Sequence, residues 1–253
     1  MVKVTVDGQT VEVPKGSTIL AAAKKAGIKI PTLCYHDDLD VKAMCRICVV
    51  EVVGARTLQT ACSQPVTDGM VIITNSPVVR QARKINLELL LSNHPQDCLN
   101  CVRNQRCELQ ALADQLGVKQ QRFHTKTKME NPKDESTAAL VRDPDKCILC
   151  RRCVEICHEV QSVGAIAPAN RGIDTQILPA GGVDLDDVAC VQCGQCSLVC
   201  PVAAIFEQDH TERVWAALAD PEKHVVVQTA PAIRVSIGEE FGMEPGQVTT
   251  GQL

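Results

Sequence analysis

The chain has 253 residues, 15 cysteines and a formal net charge of −4. A nucleic-acid-binding protein would normally be basic, so this charge argues against that class. The sequence contains no apolar run of the length that spans a bilayer, and its first residues lack the apolar core of a signal peptide. An odd number of cysteines in such a chain favours metal ligation in the reducing cytoplasm over a secreted disulfide scaffold.

The first region, residues 1–75, has the pattern of strands around one helix. Two alternating apolar segments flank Asp7 and Gly8, a strong hairpin signal, and the helix that follows is predicted to end at Gly27. Four cysteines then occur with the spacing C-x10-C-x2-C-x13-C: Cys34, Cys45, Cys48 and Cys62. This pattern resembles a β-grasp ferredoxin domain with a [2Fe–2S] cluster, although plant-type ferredoxins space their ligands differently. The alternative is a zinc knuckle formed by Cys45 and Cys48.

The second region, residues 76–140, starts with a predicted helix that has Ser76 as its cap and Pro77 in its first turn. The helix is followed by the pattern H-x3-C-x2-C-x5-C, formed by His94, Cys98, Cys101 and Cys107. Three cysteines leave a four-iron cluster one donor short, and a neutral imidazole can supply that donor. We therefore predict His94 as the fourth ligand of a [4Fe–4S] cluster in a small His/Cys3 domain.

A polar stretch closes this region, from residue 118 to about residue 140. Its composition predicts a solvated linker. The alternative is a docking strip whose positive charges steer an acidic redox partner. The basic residues concerned are Lys119, Arg122, Lys126 and Lys128.

The third region, residues 141–212, contains twice the run C-x2-C-x2-C-x3-C, which binds cubane clusters in bacterial ferredoxins. Three cysteines of such a run hold one [4Fe–4S] cluster, and the fourth reaches the other cluster. One predicted set is therefore Cys147, Cys150, Cys153 and Cys200, and the other is Cys190, Cys193, Cys196 and Cys157. Structural zinc fits less well, because its ligands form two separated pairs. Arg151 and Arg152, within the first run, are predicted to be solvated or, alternatively, to favour the reduced cluster.

The last region, residues 213–253, is predicted to form a short strand that leads into a helix. Residues 224–246 resemble the opening of the catalytic domain of [FeFe]-hydrogenases. No cysteine follows Cys200, so we expect this chain to lack the thiolates of a hydrogen-activating cluster, and hydrogen activation with them. A dinucleotide-binding fingerprint and a P-loop are also missing. These features predict a non-catalytic relay.

Together, the patterns predict an α+β protein of four parts: a β-grasp [2Fe–2S] ferredoxin domain, a small His/Cys3 cluster domain, a bacterial-type 2[4Fe–4S] ferredoxin module and a short strand–helix tail. The first two cysteine patterns resemble those of the large iron–sulfur subunit of complex I and of multi-cluster [FeFe]-hydrogenases. The whole chain resembles the N-terminal iron–sulfur region of electron-bifurcating hydrogenases without the hydrogen-cluster domain. The small iron–sulfur subunit of three-subunit electron-bifurcating NAD/NADP transhydrogenases is similar in this respect.

This resemblance implies one [2Fe–2S] and three [4Fe–4S] clusters, with FMN or FAD and NAD(P) only in partner subunits. The implied partners are a flavoprotein that binds NAD(H), a second subunit that binds NADP(H) or is a hydrogenase, and ferredoxin. The chain would relay electrons among them in a cytoplasmic transhydrogenase complex. The alternatives are the electron-input portion of an NAD(P)-linked bifurcating hydrogenase, a relay subunit of a formate dehydrogenase and, in a different class, a non-redox zinc scaffold.

Overall fold

The computed structural model describes residues 1–124, 131–249 and 251. The chain divides into two compact units, Met1–Gln208 and Asp209–Leu253. The larger unit mixes helices with strands and contains every predicted metal ligand. In the described part of the chain, no helix has the length and apolar character that a membrane crossing requires.

A five-stranded sheet forms the first part of the larger unit. Its strands are β1 (Val2–Val6), β2 (Gln9–Val13), β3 (Val49–Val52), β4 (Gln59–Thr60) and β5 (Val71–Ile73), in the spatial order β2-β1-β5-β3-β4. β1 pairs with β2 antiparallel and with β5 parallel, whereas β3 runs antiparallel to both β4 and β5. Asp7 and Gly8 have φ values of 46° and 85°, which the predicted two-residue hairpin requires.

Helix α1 (Ile19–Lys25) covers this sheet because its apolar side chains fall on one face. The Thr18 hydroxyl caps the helix by accepting a hydrogen bond from the Ala21 amide at 3.2 Å. Ile19 and Ala23 are fully buried in a core that they share with the strands. This core fixes the position of the end of α1, from which the chain continues to its first cysteine, Cys34.

Two further helices follow, α2 (Pro77–Leu91) and α3 (Glu108–Gln115). Ser76 caps α2 as predicted, since its hydroxyl accepts a hydrogen bond from the Val79 amide at 3.2 Å. The segment between the two helices carries the predicted His/Cys3 ligands. The helices therefore hold that segment from both sides.

One hydrophobic core joins the first three regions of the chain. Leu33 comes from the first region, Leu87 and Leu109 from α2 and α3, and Val202 from the end of the second cysteine run. All four are at most 1 % exposed. The regions are consequently packed together as parts of one body, and the cysteine loops lie at their contacts.

The remainder of the larger unit contains two small sheets and two short helices. They are β6 (Leu140–Arg142) paired with β9 (Ile205–Glu207), β7 (Ile166–Ala169) paired with β8 (Gln176–Pro179), α4 (Arg152–Glu155) and α5 (Gln195–Leu198). Helices α4 and α5 start one residue before Cys153 and Cys196, so the internal repeat of the sequence is also a structural repeat. The β7–β8 hairpin between the two runs was not predicted.

The smaller unit contains α6 (Thr211–Ala219) and α7 (Ile233–Glu240). The helix predicted for the tail corresponds to α7. The strand predicted before it is wrong, because residues 220–232 form no strand. The described part of this unit offers no second strand that could complete its backbone hydrogen bonds.

The end of the predicted linker is anchored by a buried ion pair. The Arg142 guanidinium donates to the Asp134 carboxylate at 2.8 Å, and the two side chains are 6 % and 9 % exposed. Burial alone would raise the pKa of Asp134, but hydrogen bonds from Ser136, the Leu185 amide and Arg142 outweigh it and hold the pKa below its usual value. The predicted solvated linker is therefore anchored at Asp134, while its neighbours Lys133, Glu135 and Ser136 are exposed.

Replacing Asp134 with Asn should destabilise the protein by about 3–5 kcal/mol, because the Arg142 charge would stay buried without its counter-charge. The measurement is anaerobic urea unfolding followed by circular dichroism. Replacing Glu12, the exposed partner of Lys3, with Gln is the control and should cost less than about 1 kcal/mol. Equal effects of the two substitutions would contradict the anchoring role of the buried pair.

Candidate iron–sulfur centres

The four cysteines of the first region are buried together. β3 and β4 pair antiparallel, which brings Cys48, just before β3, beside Cys62, just after β4. The Ala61 amide donates to the Cys48 carbonyl at 3.1 Å. The loop before β3 brings Cys45 to Cys34, whose sulfur accepts a hydrogen bond from the Cys45 amide at 3.5 Å. Each of these cysteines is at most 9 % exposed.

The thiols of this first group form two hydrogen-bonded pairs. The hydrogen bond from Cys45 lowers the pKa of Cys34 to about 6, and that from Cys62 lowers the pKa of Cys48 to about 7. The same hydrogen bonds, together with burial, raise the pKa values of Cys45 and Cys62. The two pairs also interact, because the charge of Cys34 raises the pKa values of Cys48 and Cys62. Four buried sulfurs are the kind of donor set that binds a [2Fe–2S] cluster, and its binding would release the remaining protons.

The predicted His/Cys3 residues form the second group, and they line one cavity. They are His94, Cys98, Cys101 and Cys107. His94 follows the end of α2, where its amide donates to the Leu91 carbonyl at 3.1 Å. Cys107 is the cap residue of α3, and burial raises the pKa of its thiol. The imidazole is therefore placed among three thiols, as a fourth ligand would be.

The third group is the first of the two crossed sets, and its members line one cavity. Its lining includes Cys147, Cys150, Cys153 and Cys200. Burial is the main reason that the pKa of Cys147 rises to about 11 and that of Cys150 to about 12. The negative charge of Cys200 contributes to both shifts, so the cysteine that ends the second run lies beside the first run.

The other crossed set, the fourth group, consists of Cys190, Cys193, Cys196 and Cys157. Burial, followed by the negative charges of Cys157, Cys190 and Cys193, raises the pKa of Cys196 to about 12. Cys193 is exposed, whereas the other three are partly buried. Seven of the eight cysteines of the two runs thus belong to or pack against two adjoining cores of the larger unit, and the crossed ligand sets stay a prediction.

The backbone of both runs bends in the same way around the second cysteine. Leu149 and Arg151 flank it in the first run with φ values of 56° and 64°, and Gln192 and Gly194 flank it in the second with 51° and 76°. Alternating left-handed residues turn successive amide N–H groups to one side and form a concave shape that binds anions, including iron–sulfur centres. Leu149, Arg151 and Gln192 therefore hold a strained backbone conformation. Such strain occurs most often at functional sites.

Arg152 corrects one sequence prediction. Its side chain is 5 % exposed and pairs with Glu108, so the prediction that it is solvated is wrong. Arg151 next to it is partly exposed. The partner carboxylate lies far away in the sequence, which is why the local pattern did not reveal the pair.

Arg83 is a second buried cation, and the sequence analysis missed it. It is 5 % exposed, and its guanidinium donates to the Val49 carbonyl at 2.8 Å. Burial lowers the pKa of Arg83, while the nearby negative charge of Cys48 raises it. Arg83 lies on the buried face of α2 with Val79 and Leu87. A charge at helical spacing on an apolar face is the signal that marks it in the sequence.

The predicted docking strip is only partly described, since Lys126 and Lys128 lie outside the described residues. Arg122 donates from Nε to the buried Glu88 carboxylate at 2.8 Å, so its charge anchors the segment after α3 to α2. Lys119 is exposed. The strip as a docking surface therefore stays a prediction, with Arg122 engaged within the chain.

Four protein families match successive parts of the chain. They are described as a 2Fe-2S iron-sulfur cluster binding domain (residues 1–77), the NADH-ubiquinone oxidoreductase-G iron-sulfur binding region (83–122), a 4Fe-4S dicluster domain (146–204) and the C-terminal domain of the iron only hydrogenase large subunit (223–253). With the donor groups above, these matches define an iron–sulfur protein built from ferredoxin-type [2Fe–2S] and [4Fe–4S] binding domains.

Known relatives show which iron–sulfur proteins this chain is similar to. The chain is 46 % identical over 258 residues to NADP-reducing hydrogenase subunit HndD of Solidesulfovibrio fructosivorans, covering 100 % of this chain and 44 % of that protein. It is 43 % identical over 178 residues to the NADH-ubiquinone oxidoreductase 75 kDa subunit of Reclinomonas americana, covering 70 % and 26 %. The chain thus spans less than half the length of these curated relatives.

A solved structure is also similar. The crystal structure of an NAD+-reducing [NiFe]-hydrogenase in the H2-reduced state matches with a TM-score of 0.76 and 30 % identity, covering 82 % of this chain and 87 % of the other. The chain belongs to the family of iron–sulfur subunits of hydrogenases and complex I, and it corresponds to their N-terminal iron–sulfur region.

Replacing Cys157 with Ala should remove the cluster of the second run, because the crossed spacing assigns Cys157 to that cluster and its charge contributes to the raised pKa of Cys196. Replacing Cys200 with Ala should remove the cluster of the first run. Electron paramagnetic resonance of the reduced protein measures both losses, with Cys147→Ala and Cys190→Ala as references for the two signals. Loss of the first-run signal in Cys157→Ala would contradict crossed ligation.

Replacing Arg83 with Met should lower the reduction potential of the [2Fe–2S] cluster, because the buried cation favours the added electron. The shift should be on the order of tens of millivolts, as one nearby unit charge produces at an effective dielectric constant of about 20. A redox titration followed by electron paramagnetic resonance measures it. Arg80→Met, at an exposed position of the same helix, is the control, and an equal shift there would argue against a specific role of Arg83.

Proposed function

We propose that this chain relays electrons between the redox partners of an NAD(P)-linked complex and turns over no substrate itself. The observation that carries this proposal is the number and spacing of the donors: fifteen cysteines and His94 lie in the larger unit, and their spacing divides them into four sets of four. Proteins hold iron–sulfur clusters with four such donors, and imidazole can replace a thiolate. We assign one [2Fe–2S] cluster to the first group and one [4Fe–4S] cluster to each of the other three.

The packing of the groups supports an order for the relay. One core contains members of the first, second and third groups: Cys34, Cys45, Cys107, Cys147, Cys150 and Cys200. Another core contains members of the third and fourth groups: Cys147, Cys153, Cys157, Cys190 and Cys196. The third group belongs to both cores. Its cluster is therefore the proposed junction through which the other three exchange electrons.

The fourth group offers a contact for a redox partner. Cys193 is exposed, and so are two apolar residues of the same run, Val191 and Leu198, which are 63 % and 72 % exposed. An exposed ligand with apolar neighbours allows a partner to approach the cluster closely. We assign the ferredoxin contact to this end of the relay.

The chemistry divides between the clusters and the chain. A bound cluster accepts and donates one electron, and the chain determines where it sits and what charge it tolerates. Thiolates and one imidazole bind the iron, and the shared cores exclude water. The buried guanidinium groups of Arg83 and Arg152 offset the negative charge that each added electron brings.

The relatives' names supply the class of partner. The relatives are an NADP-reducing hydrogenase subunit, an NADH-ubiquinone oxidoreductase subunit and an NAD+-reducing hydrogenase. Each of these names joins a nicotinamide nucleotide to a second redox reaction. By analogy, we assign this chain to a cytoplasmic electron-bifurcating transhydrogenase. Its partners would be a flavoprotein with FMN or FAD that binds NAD(H), a subunit that binds NADP(H), and ferredoxin.

A second candidate is the electron-input region of a bifurcating [FeFe]-hydrogenase. The match of residues 223–253 to the hydrogenase C-terminal domain favours this candidate. In both cases the domains are the β-grasp ferredoxin domain (1–75), the His/Cys3 domain with its linker (76–140), the 2[4Fe–4S] module (141–212) and the hydrogenase-like tail (213–253). The sheet order β2-β1-β5-β3-β4 with α1 packed on it supports the first of these.

The protein purified anaerobically should contain roughly 14 iron atoms and accept about four electrons, one for each cluster. NADH should reduce it only when the flavoprotein partner is present, because the chain itself is proposed to bind no nucleotide. Visible absorption and electron paramagnetic resonance follow the reduction. The protein without the flavoprotein is the control.

Four outcomes of these measurements test the relay and decide between the two candidates. A colourless, zinc-loaded protein would refute the relay and support a zinc scaffold. Clusters that the flavoprotein cannot reduce would also contradict it. In the native complex, NADH-to-NADP+ transfer without hydrogen uptake supports the transhydrogenase, whereas hydrogen-dependent nucleotide reduction supports the hydrogenase.

A further inference from the structure

The Arg152 side chain connects segments that carry ligands of three different groups. Its two terminal nitrogens donate to the Glu108 carboxylate at 2.7 Å and 2.9 Å. One of them also donates to the Tyr35 carbonyl at 2.9 Å, and the other lies 3.4 Å from the Val199 carbonyl oxygen. Arg152 is 5 % exposed, whereas the Glu108 side chain is 46 % exposed, so the guanidinium group is buried and its carboxylate partner reaches the surface.

Each partner is the sequence neighbour of a proposed cluster ligand. The pairs are Tyr35 with Cys34, Glu108 with Cys107, Val199 with Cys200, and Arg152 itself with Cys153. The first pair belongs to the first group, the second to the second group, and the last two to the third group. One guanidinium therefore touches the ligand loops of three centres.

We propose that Arg152 is a positioning residue that fixes the spacing of these three centres, an inference that rests on the proposed relay. A planar guanidinium binds a carboxylate with two parallel hydrogen bonds and still reaches a carbonyl, which an ammonium group cannot reproduce. Electron transfer between centres weakens steeply with distance. A rigid link between their loops therefore keeps every step of the relay short.

A second contact joins the same two segments. Lys42 lies in the loop between Cys34 and Cys45, and its ammonium nitrogen lies 2.9 Å from the Glu155 carboxylate at the end of α4. The Glu155 side chain is 11 % exposed. The first cysteine loop is thus held at both ends of α4, by Arg152 at the start and by Glu155 at the end.

The test compares three variants of the full, cluster-loaded chain. Arg152→Met removes the charge and the hydrogen bonds, whereas Arg152→Lys keeps the charge but lacks the fork. Arg171→Met is the control. Arg171 is exposed and lies outside the four donor groups, so its replacement removes one positive charge without removing the contacts to Tyr35 and Glu108.

Two measurements report on position. Pulsed electron paramagnetic resonance gives the distribution of distances between the reduced [2Fe–2S] centre and its nearest reduced [4Fe–4S] neighbour. Hydrogen exchange reports the opening of residues 34–48. Both Arg152 variants should broaden the distance distribution and accelerate exchange by about 10- to 100-fold, as expected for the loss of charge-assisted hydrogen bonds. Arg171→Met should leave both at their wild-type values.

Wild-type distances and exchange rates in Arg152→Met would overturn the proposal. Equal changes in Arg171→Met would also overturn it, since the loss of a positive charge rather than the position of Arg152 would then be responsible. If Arg152→Met loses its clusters, Arg152→Lys and Glu108→Gln decide the question with the same measurements. A wild-type chain that binds no iron refutes the relay instead, and hydrogen exchange in that chain still shows whether Arg152 holds the loop.

Discussion

The larger unit holds many thiol groups close together in its interior, and this crowding explains most of its other features. Cysteines are members of every core of this unit, and burial raises the pKa of those in the first run. Ionised thiols so close together would repel one another in a medium that screens charge poorly. Iron binding removes this conflict, because it takes the protons away and neutralises the thiolate charge.

The amino-acid composition also indicates that bound metal centres stabilise this protein. The chain has one Trp, one Tyr and three Phe, so large rings contribute little to its interior. A structural zinc site supplies about 10–16 kcal/mol of folding free energy, and each iron–sulfur cluster would act in a comparable way. The centres would then contribute to the free energy of folding. This contribution explains how helices as short as α4 and α5 keep a defined position. Buried cations such as Arg83 and Arg152 complete the balance of charge.

The features that the sequence predicts well depend on residues close together in the chain. The hairpin at Asp7 and Gly8 and the cap at Ser76 each involve a few neighbouring residues. Cluster ligation imposes fixed spacings for the same reason, so the four donor groups can be predicted from the sequence. Their role as ligands remains a proposal.

The features that the sequence could not predict depend on distant partners. Arg152 looks like a solvated residue until Tyr35, 117 positions away, is placed beside it. Asp134 lies in a polar stretch, and only its antiparallel bridge to Arg142 reveals this buried partner. The predicted tail strand failed because a strand needs a neighbour, which local propensity cannot report.

X-ray diffraction from anaerobic crystals at the iron absorption edge tests the central claim most directly. Four separate anomalous peaks should appear, one within each donor group, with the peak beside Cys147 also beside Cys200, and the peak beside Cys190 also beside Cys157. A peak at the zinc edge in these places, or sulfur–sulfur bonds between the cysteines of a group, would contradict the account.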